Sequence, residues 1–408
     1  MKLQKGYNYS IIILGLCLIL IGCITPYEIN EGDNFENRLV IEGKLTDALN
    51  YQEIRLSRTF SLDKWSTGLM ERNANVRIIE DGATSYEYEE KEPGRYVSKV
   101  KFNAIPDRTY KLEITLSSGK RYASKNIGLP AESNSDFDLT VRSGTNKGGK
   151  PGVLIDYVNI DTNTDNTNDP SYYRFDHTST YKIIAPNWTD EKLVVNATIK
   201  PDIVPKGNEL GKVCYGKERS TKLILRNASE FQGNAVESFN IRYIAKVQQK
   251  IYHRYSIKVN QYVISREAFI YYQTLKDFSE SGNVFSENQP GNIIGNINSL
   301  DDEKEIVIGY FEVSKILSKR LFFNYIDFYR KEEVADEVYF GACIKSFPTL
   351  KSRGVVQRLS LNDMLLQNLV VYLNENGGDP GGPYQVVTKA CGDCRVLGDV
   401  KKPDFWID

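Results

Sequence analysis

Residues 109–116 read Thr-Tyr-Lys-Leu-Glu-Ile-Thr-Leu. Tyr110, Leu112, Ile114 and Leu116 share one parity; Thr109, Lys111, Glu113 and Thr115 share the other. Successive side chains of a strand point to opposite faces, so this period of two predicts a strand with one dry and one wet face. A half-wet strand belongs in an antiparallel sheet. Ser118-Gly119 supplies a turn, and a second strand is expected at 120–124. Upstream, 39–45 (LVIEGKL) is an apolar run that ends in alternation, and 52–58 places Ile54 and Leu56 on one face. Residues 75–79 alternate before the turn pair Asp81-Gly82, and 94–98 follows Pro93. Short strands at this spacing, punctuated by turn residues, predict an antiparallel sandwich over 38–130.

Pro130 and the polar run 131–136 mark the expected boundary. Beyond it the strand pattern continues at 152–156, 172–175, 238–243, 255–259 and 306–313. Ser265 reads as an N-cap for a helix over 265–278, with Ala268, Tyr271, Tyr272, Leu275 and Phe278 at helical spacing. An aromatic helical stripe of this kind is expected to pack rather than to bind. Glycine and asparagine crowd 282–296, and no internal repeat is present. The expected fold class is mainly β: a sandwich over 38–130, then a larger β-rich domain over 131–408 with one or few helices.

The N-terminus carries a different message. Lys2 and Lys5 precede the run 11–21, IIILGLCLILI, and Leu20-Ile21-Gly22-Cys23 follows. Eleven apolar residues are too few for a spanning helix, which needs about 20. A positive start, a short apolar core and a small residue before the cut are the anatomy of a cleaved export signal. The closing cysteine makes this resemble a bacterial lipobox. The expectation is a signal peptide over 1–22, lipidation at Cys23 and a polar tether over 23–37. Acyl chains, not a helix, would then hold the protein to the membrane.

Composition narrows the partners. Fifty-two Lys and Arg, two of them inside the signal, face 53 Asp and Glu, so there is no basic excess for nucleic acid. His177 and His253 are the only histidines, which weakens any histidine-based catalytic or metal site. The 26 tyrosines favour strands; stacking on sugars is the alternative use, and sheet packing is the preferred reading. Outside the signal and anchor, Cys214, Cys343, Cys391 and Cys394 remain, an even number that suggests disulfides in an exported chain. Three pairings are open; Cys214 with Cys343, beside a local Cys391–Cys394 link, is the first expectation. Cys391-Gly-Asp-Cys394 is a C-x-x-C, but no helical pattern follows it as redox use would need, and no second ligand pair completes a zinc site.

Catalytic motifs are missing. Neither G-x-S-x-G nor H-E-x-x-H occurs. The runs from Gly144 to Lys150 and from Gly211 to Lys217 approach a P-loop but continue with Pro151 and Glu218, where a Ser or Thr must hold magnesium. Asp161-x-Asn163-x-Asp165 begins like a calcium loop, yet Asn166 and Tyr172 stand where glycine and a bidentate glutamate are needed. No metal or cofactor is expected.

Several pieces, taken in order, resemble the DUF4249 family. They are the lipobox, Leu39-Val-Ile-Glu-Gly43, Gly94-Arg-Tyr96, Tyr110-Lys-Leu112 and Gly119-Lys-Arg-Tyr122. Later come Asp169-Pro-Ser-Tyr172-Tyr173-Arg174, the helix 265–278, Gly282-Asn-Val-Phe285 and Pro290-Gly-Asn-Ile-Ile-Gly295. Ile308-Gly-Tyr-Phe311, Cys391-Gly-Asp-Cys394-Arg395 and Lys402-Pro403-Asp404-Phe405-Trp406 complete the set. The resemblance implies a cell-envelope lipoprotein of Bacteroidota, an immunoglobulin-like first sandwich of the kind found in carboxypeptidase-regulatory modules, and no established active site. Members commonly lie beside TonB-dependent outer-membrane receptors. The resemblance thus implies a non-catalytic binding or accessory component at the outer membrane, at the cell surface in preference to the periplasmic face. The tether opens Ile24-Thr-Pro-Tyr-Glu28 with a single acid, where surface export in that phylum is associated with an acidic cluster. A structural or adhesive surface protein and an envelope hydrolase are the alternatives.

Overall fold

The computed structural model describes residues 37–59, 69–130, 136–160, 172–230, 236–280, 293, 295–330, 343–350, 359–375 and 382–408. Cys23, the signal, nearly all of the tether, the Asp161 run and most of the 282–296 stretch lie outside the described residues.

The alternation of the first segment becomes β1 (Leu39–Thr46), β2 (Glu53–Arg58), β3 (Asn75–Glu80), β4 (Thr84–Glu92), β5 (Arg95–Ser98), β6 (Thr109–Thr115), β7 (Arg121–Ser124) and the short β8 (Ile127–Gly128). Ile41, Ile54, Leu56, Val76, Ile78, Tyr110, Leu112 and Ile114 turn into one core. Each such side chain, fully buried, contributes about 1.5–3 kcal/mol. Asp81 and Gly82 both have positive φ, 48° and 72°, which closes the β3–β4 hairpin. β4 crosses between two sheets: its first half pairs with β3 and its second half with β5. A sandwich results, as the period of two requires.

The second lobe uses β9 (Phe137–Thr145), β10 (Pro151–Asn159), β11 (Tyr172–Ile184), β12 (Glu191–Val194), β13 (Asp202–Pro205), β14 (Val213–Arg219), β15 (Ile224–Asn227), β16 (Phe239–Ala245) and β17 (Arg254–Ile264). The three-stranded sheet β16-β10-β9 faces the sheet carrying β11 and β17 across an aromatic core that includes Phe137, Tyr157, Phe175 and Tyr255. The helix begins where the serine predicts: Ala268 N donates to Ser265 Oγ (3.1 Å), and the helix runs Arg266–Glu280. Ala268 and Tyr271 pack on Tyr262, Ile264 and Tyr310.

Later strands return to both lobes. β18 (Ile297–Ser299) pairs with β7, so the first sandwich is completed from far down the chain. β19 (Ile308–Asn324) is 17 residues long and serves both lobes. Its first part pairs in parallel with β1, from Val40↔Ile308 to Thr46↔Ser314; its second part pairs antiparallel with β17. Gly309 permits the parallel approach: at φ +151° a Cβ there would stand 2.1 Å from the Ile41 carbonyl oxygen. β20 (Lys345–Ser346), β21 (Val370–Glu375), β22 (Tyr384–Thr388) and the helix Leu361–Leu366, capped by Ser360, enclose a small core around Leu361, Tyr372 and Tyr384.

All four cysteines form disulfides, but the expected pairing is overturned. The bonds are Cys214–Cys394 and Cys343–Cys391. The reason is local. Cys391 lies in the short helix Lys389–Gly392, and Cys394 starts the next helical turn. Asp393 between them is extended (φ −153°, ψ 107°) and 2% exposed, clamped by Arg395 and Lys389. That corner sends Cys394 against Ile183, Ala185 and Cys214, and leaves Cys391 to Cys343.

Candidate functional site

A groove of about 1100 Å3 opens where the two lobes meet. Residues 41–44 of β1, with Glu53 and Arg55 of β2, form one wall. The turn 219–223 between β14 and β15 and the helix face of Tyr271, Tyr272, Leu275 and Lys276 form the other. The helix stripe expected only to pack therefore also lines a cavity, because its lobe-facing and groove-facing residues are neighbours on one surface.

Register builds the floor, which Lys44 and Arg174 line, and the network beneath it. Lys44 of β1 stands opposite Glu312 of β19, and Arg174 of β11 stands opposite Tyr262 of β17. Arg174 donates two bonds to Glu312, Nε to Oε2 (3.0 Å) and Nη2 to Oε1 (2.9 Å). Ser314 Oγ donates to the same Oε1 (2.8 Å). The Glu312 side chain is 1% exposed. The Tyr262 ring lies between two cations, with Lys44 Nζ 4.2 Å and the Arg174 guanidinium carbon 4.1 Å from its centroid. Lys44 Nζ donates to the Tyr262 hydroxyl (2.8 Å), which donates to Asp176 Oδ2 (3.0 Å), and Asn260 holds Asp176 Oδ1 (2.6 Å).

These contacts fix the charge states. Burial pushes Glu312 up, but the Arg174 guanidinium outweighs it and holds the carboxyl below its ordinary value. Burial lowers Arg174, and Glu312 more than reverses this, so the guanidinium ends above its ordinary value. Lys44 is lowered, first by burial and then by Arg174. Burial is also the main cause that raises Tyr262 and Tyr272 well above the usual phenol and pushes Tyr271 up to about 12. Glu312 stays ionised and the tyrosines stay protonated at neutral pH. Of this network Lys44 and Arg174 line the groove, and the Arg174–Glu312 pair beneath it is a fixed ion pair.

The rim differs. Arg55 is taken by Glu53 (2.7 Å), whereas Arg219, Lys222 and Lys276 have no carboxylate partner among the described residues. Glu42 is the wall carboxylate without an ion pair among them.

The four cysteines do not line the groove. They fasten the chain end to β14 and to the 343 segment. His177 lies near the 219–223 turn, where its backbone N–H donates to Ser220 Oγ (3.0 Å). Burial, then the Arg242 guanidinium, lowers its imidazole to about 4, so it is neutral at pH 7. Among the described residues no group of three His, Cys, Asp or Glu side chains is placed to hold a metal, and no helix is long and apolar enough to cross a membrane. The floor residues went unnoticed in the sequence, although one signal was present. Arg174 in Tyr172-Tyr173-Arg174-Phe175 and Glu312 in Tyr310-Phe311-Glu312-Val313 are single charges inside apolar strand runs, and such charges are buried only when paired.

No curated protein matches the chain. Two solved structures share 10% identity with it: a biofilm associated protein B domain, covering 70% of this chain and 87% of that one at a TM-score of 0.15, and the BSP domain of a biofilm associated protein, covering 69% and 58% at 0.11. Likeness at these scores carries no argument about fold or function. The family described as domain of unknown function DUF4249 matches residues 24–320, most of the chain and every strand that builds the groove. The chain belongs to the DUF4249 family.

Proposed function

We propose that this chain is a lipoprotein, anchored at the outer membrane through Cys23, and that it acts as a non-catalytic binding or accessory component beside a TonB-dependent uptake receptor. The observation that carries the binding half is the groove between the lobes. Beneath it the Arg174–Glu312 pair is hydrogen-bonded and held ionised, a fixed arrangement that suits recognition. The anchoring half rests on the lipobox, and the matched family span opens at residue 24, directly after Cys23. A lipid would confine the groove to the membrane plane and raise its effective concentration near a receptor.

Two measurements test the reading. Metabolic labelling with an alkynyl fatty acid is expected to mark the wild-type protein and not Cys23→Ala; equal labelling of both sinks the anchor. Cross-linking in intact outer membranes, followed by affinity capture and mass spectrometry, is expected to recover a TonB-dependent receptor in stoichiometric amount. Recovery of the abundant lipoprotein with no receptor removes the accessory role.

A further inference from the structure

We infer that the groove between the lobes binds an acidic oligosaccharide, its anionic substituents held by Arg219, Lys222 and Lys276 along the rim. The inference rests on reading the groove as a binding site and names what enters it. Floor and rim of this cavity are different kinds of surface. On the floor, Arg174 and Lys44 spend their charge on Glu312 and Asp176. On the rim, three cations, from the end of β14, the turn after it and the helix, face the same space with no carboxylate partner among the described residues; of the two wall carboxylates, Glu53 is taken by Arg55 and Arg95 and Glu42 alone has no ion pair among them. Like charges gathered on one concave wall raise the local concentration of anions.

Size and backbone pairing narrow the class. A volume of about 1100 Å3 exceeds that of most small-molecule pockets, about 300–1000 Å3, and suits an oligomer of several units. An extended acidic peptide would gain most of its affinity by adding to a free sheet edge. β1 and β2 offer none: β1 is paired by β2 and β19, and β2 by β1 and β5. The β1–β2 wall therefore recognises through side chains. Tyr272, Leu223 and Leu275, all half-buried, supply aromatic and apolar surface, backed by the buried Tyr271 and Tyr310. That mixture suits the C–H faces and hydroxyls of sugar rings.

The test is calorimetric titration of the full-length chain in detergent with tetragalacturonate, with neutral galactotetraose and tetraglutamate as comparison probes. The expected result is measurable binding of tetragalacturonate, at least about tenfold tighter than either probe. That binding should weaken as salt rises from 50 to 500 mM, on the order of tenfold. Lys222→Glu with Lys276→Glu should weaken it by about tenfold or more, with an unchanged melting temperature. Neither ammonium makes a hydrogen bond among the described residues, so the fold should tolerate both changes. If that variant misfolds, the salt titration of the wild type still decides. No binding of tetragalacturonate, binding indifferent to salt, or equal binding of the neutral sugar each overturns the inference. Equal binding of tetraglutamate overturns the sugar class. None of these outcomes bears on whether a receptor is captured in cross-linked membranes, so the two readings fail separately.

Discussion

The first sandwich and the chain end solve the same problem by different means. Residues 38–130 contain no cysteine, and their strands feed one continuous core of alternating apolar side chains. The segment from 343 onward has short strands, a six-residue helix and a core of a few side chains, and it carries two disulfides and the clamped Asp393. Where buried apolar area is scarce, covalent and ionic fastenings replace it. Register stabilises the first region, and staples stabilise the last.

The comparison can be broken, and the largest effect is the covalent one. Cys214→Ser with Cys394→Ser opens a link spanning 180 residues, and loop entropy sets its contribution at about 4–5 kcal/mol. Hydrogen exchange should show β21 and β22 losing protection while β1 to β7 keep theirs; equal loss in the sandwich would refute the division. Peptide mapping without reductant should yield the 214–394 and 343–391 cross-links and no internal 391–394 loop.

Glu312→Ala tests the junction between lobes. It strands the Arg174 guanidinium and should cost about 3–4 kcal/mol in denaturant melts, whereas the double change Arg174→Met with Glu312→Leu should recover most of that. A single change that costs under 1 kcal/mol would mean the pair is not buried in solution (about 0–1 kcal/mol is the surface value).

His177 gives a smaller, pH-dependent effect. Its folded value of about 4 lies below the ordinary 6.5, so between those values the unfolded chain binds the extra proton and stability falls as pH drops. From pH 7 to pH 5 the loss should be about 2 kcal/mol, flattening below pH 4, and it should be absent in His177→Gln. Melts at the two pH values check it. A wild type and a variant with the same pH slope would contradict the burial. Smallest of all, Arg77→Ala removes a half-exposed pair with Glu113 (2.8 Å) on the wet face of the sandwich and should change stability by about 0–1 kcal/mol.

Legibility followed locality. β1, β2, β3, β5, β6 and β7 are readable because burial with a period of two leaves its mark within a few residues. β4 was missed: Thr-Ser-Tyr-Glu-Tyr-Glu-Glu-Lys-Glu carries so many charges that Tyr86 and Tyr88 hardly register, and it changes sheets midway. β19 was read only to Val313, since its polar second half sits in a different lobe and obeys a different pattern. The groove could not be read at all. Its walls come from positions near 42, 174, 220 and 275, and no local period links them. The C-x-x-C spacing pointed to a local bond, but the extended Asp393 corner decided otherwise.

The shared strand also determines how this molecule would carry a load. A pull on the chain ahead of Arg38 enters at the start of β1, and a pull on the second lobe enters at the far end of β19. The two strands run in parallel, with seven register pairs from Val40↔Ile308 to Thr46↔Ser314. Opposed forces at those ends strain the hydrogen bonds of the whole ladder together instead of opening them one at a time. The joint between the lobes is therefore a shear clamp, in which tension on the chain ahead of Arg38 is borne by a sheet rather than by a hinge.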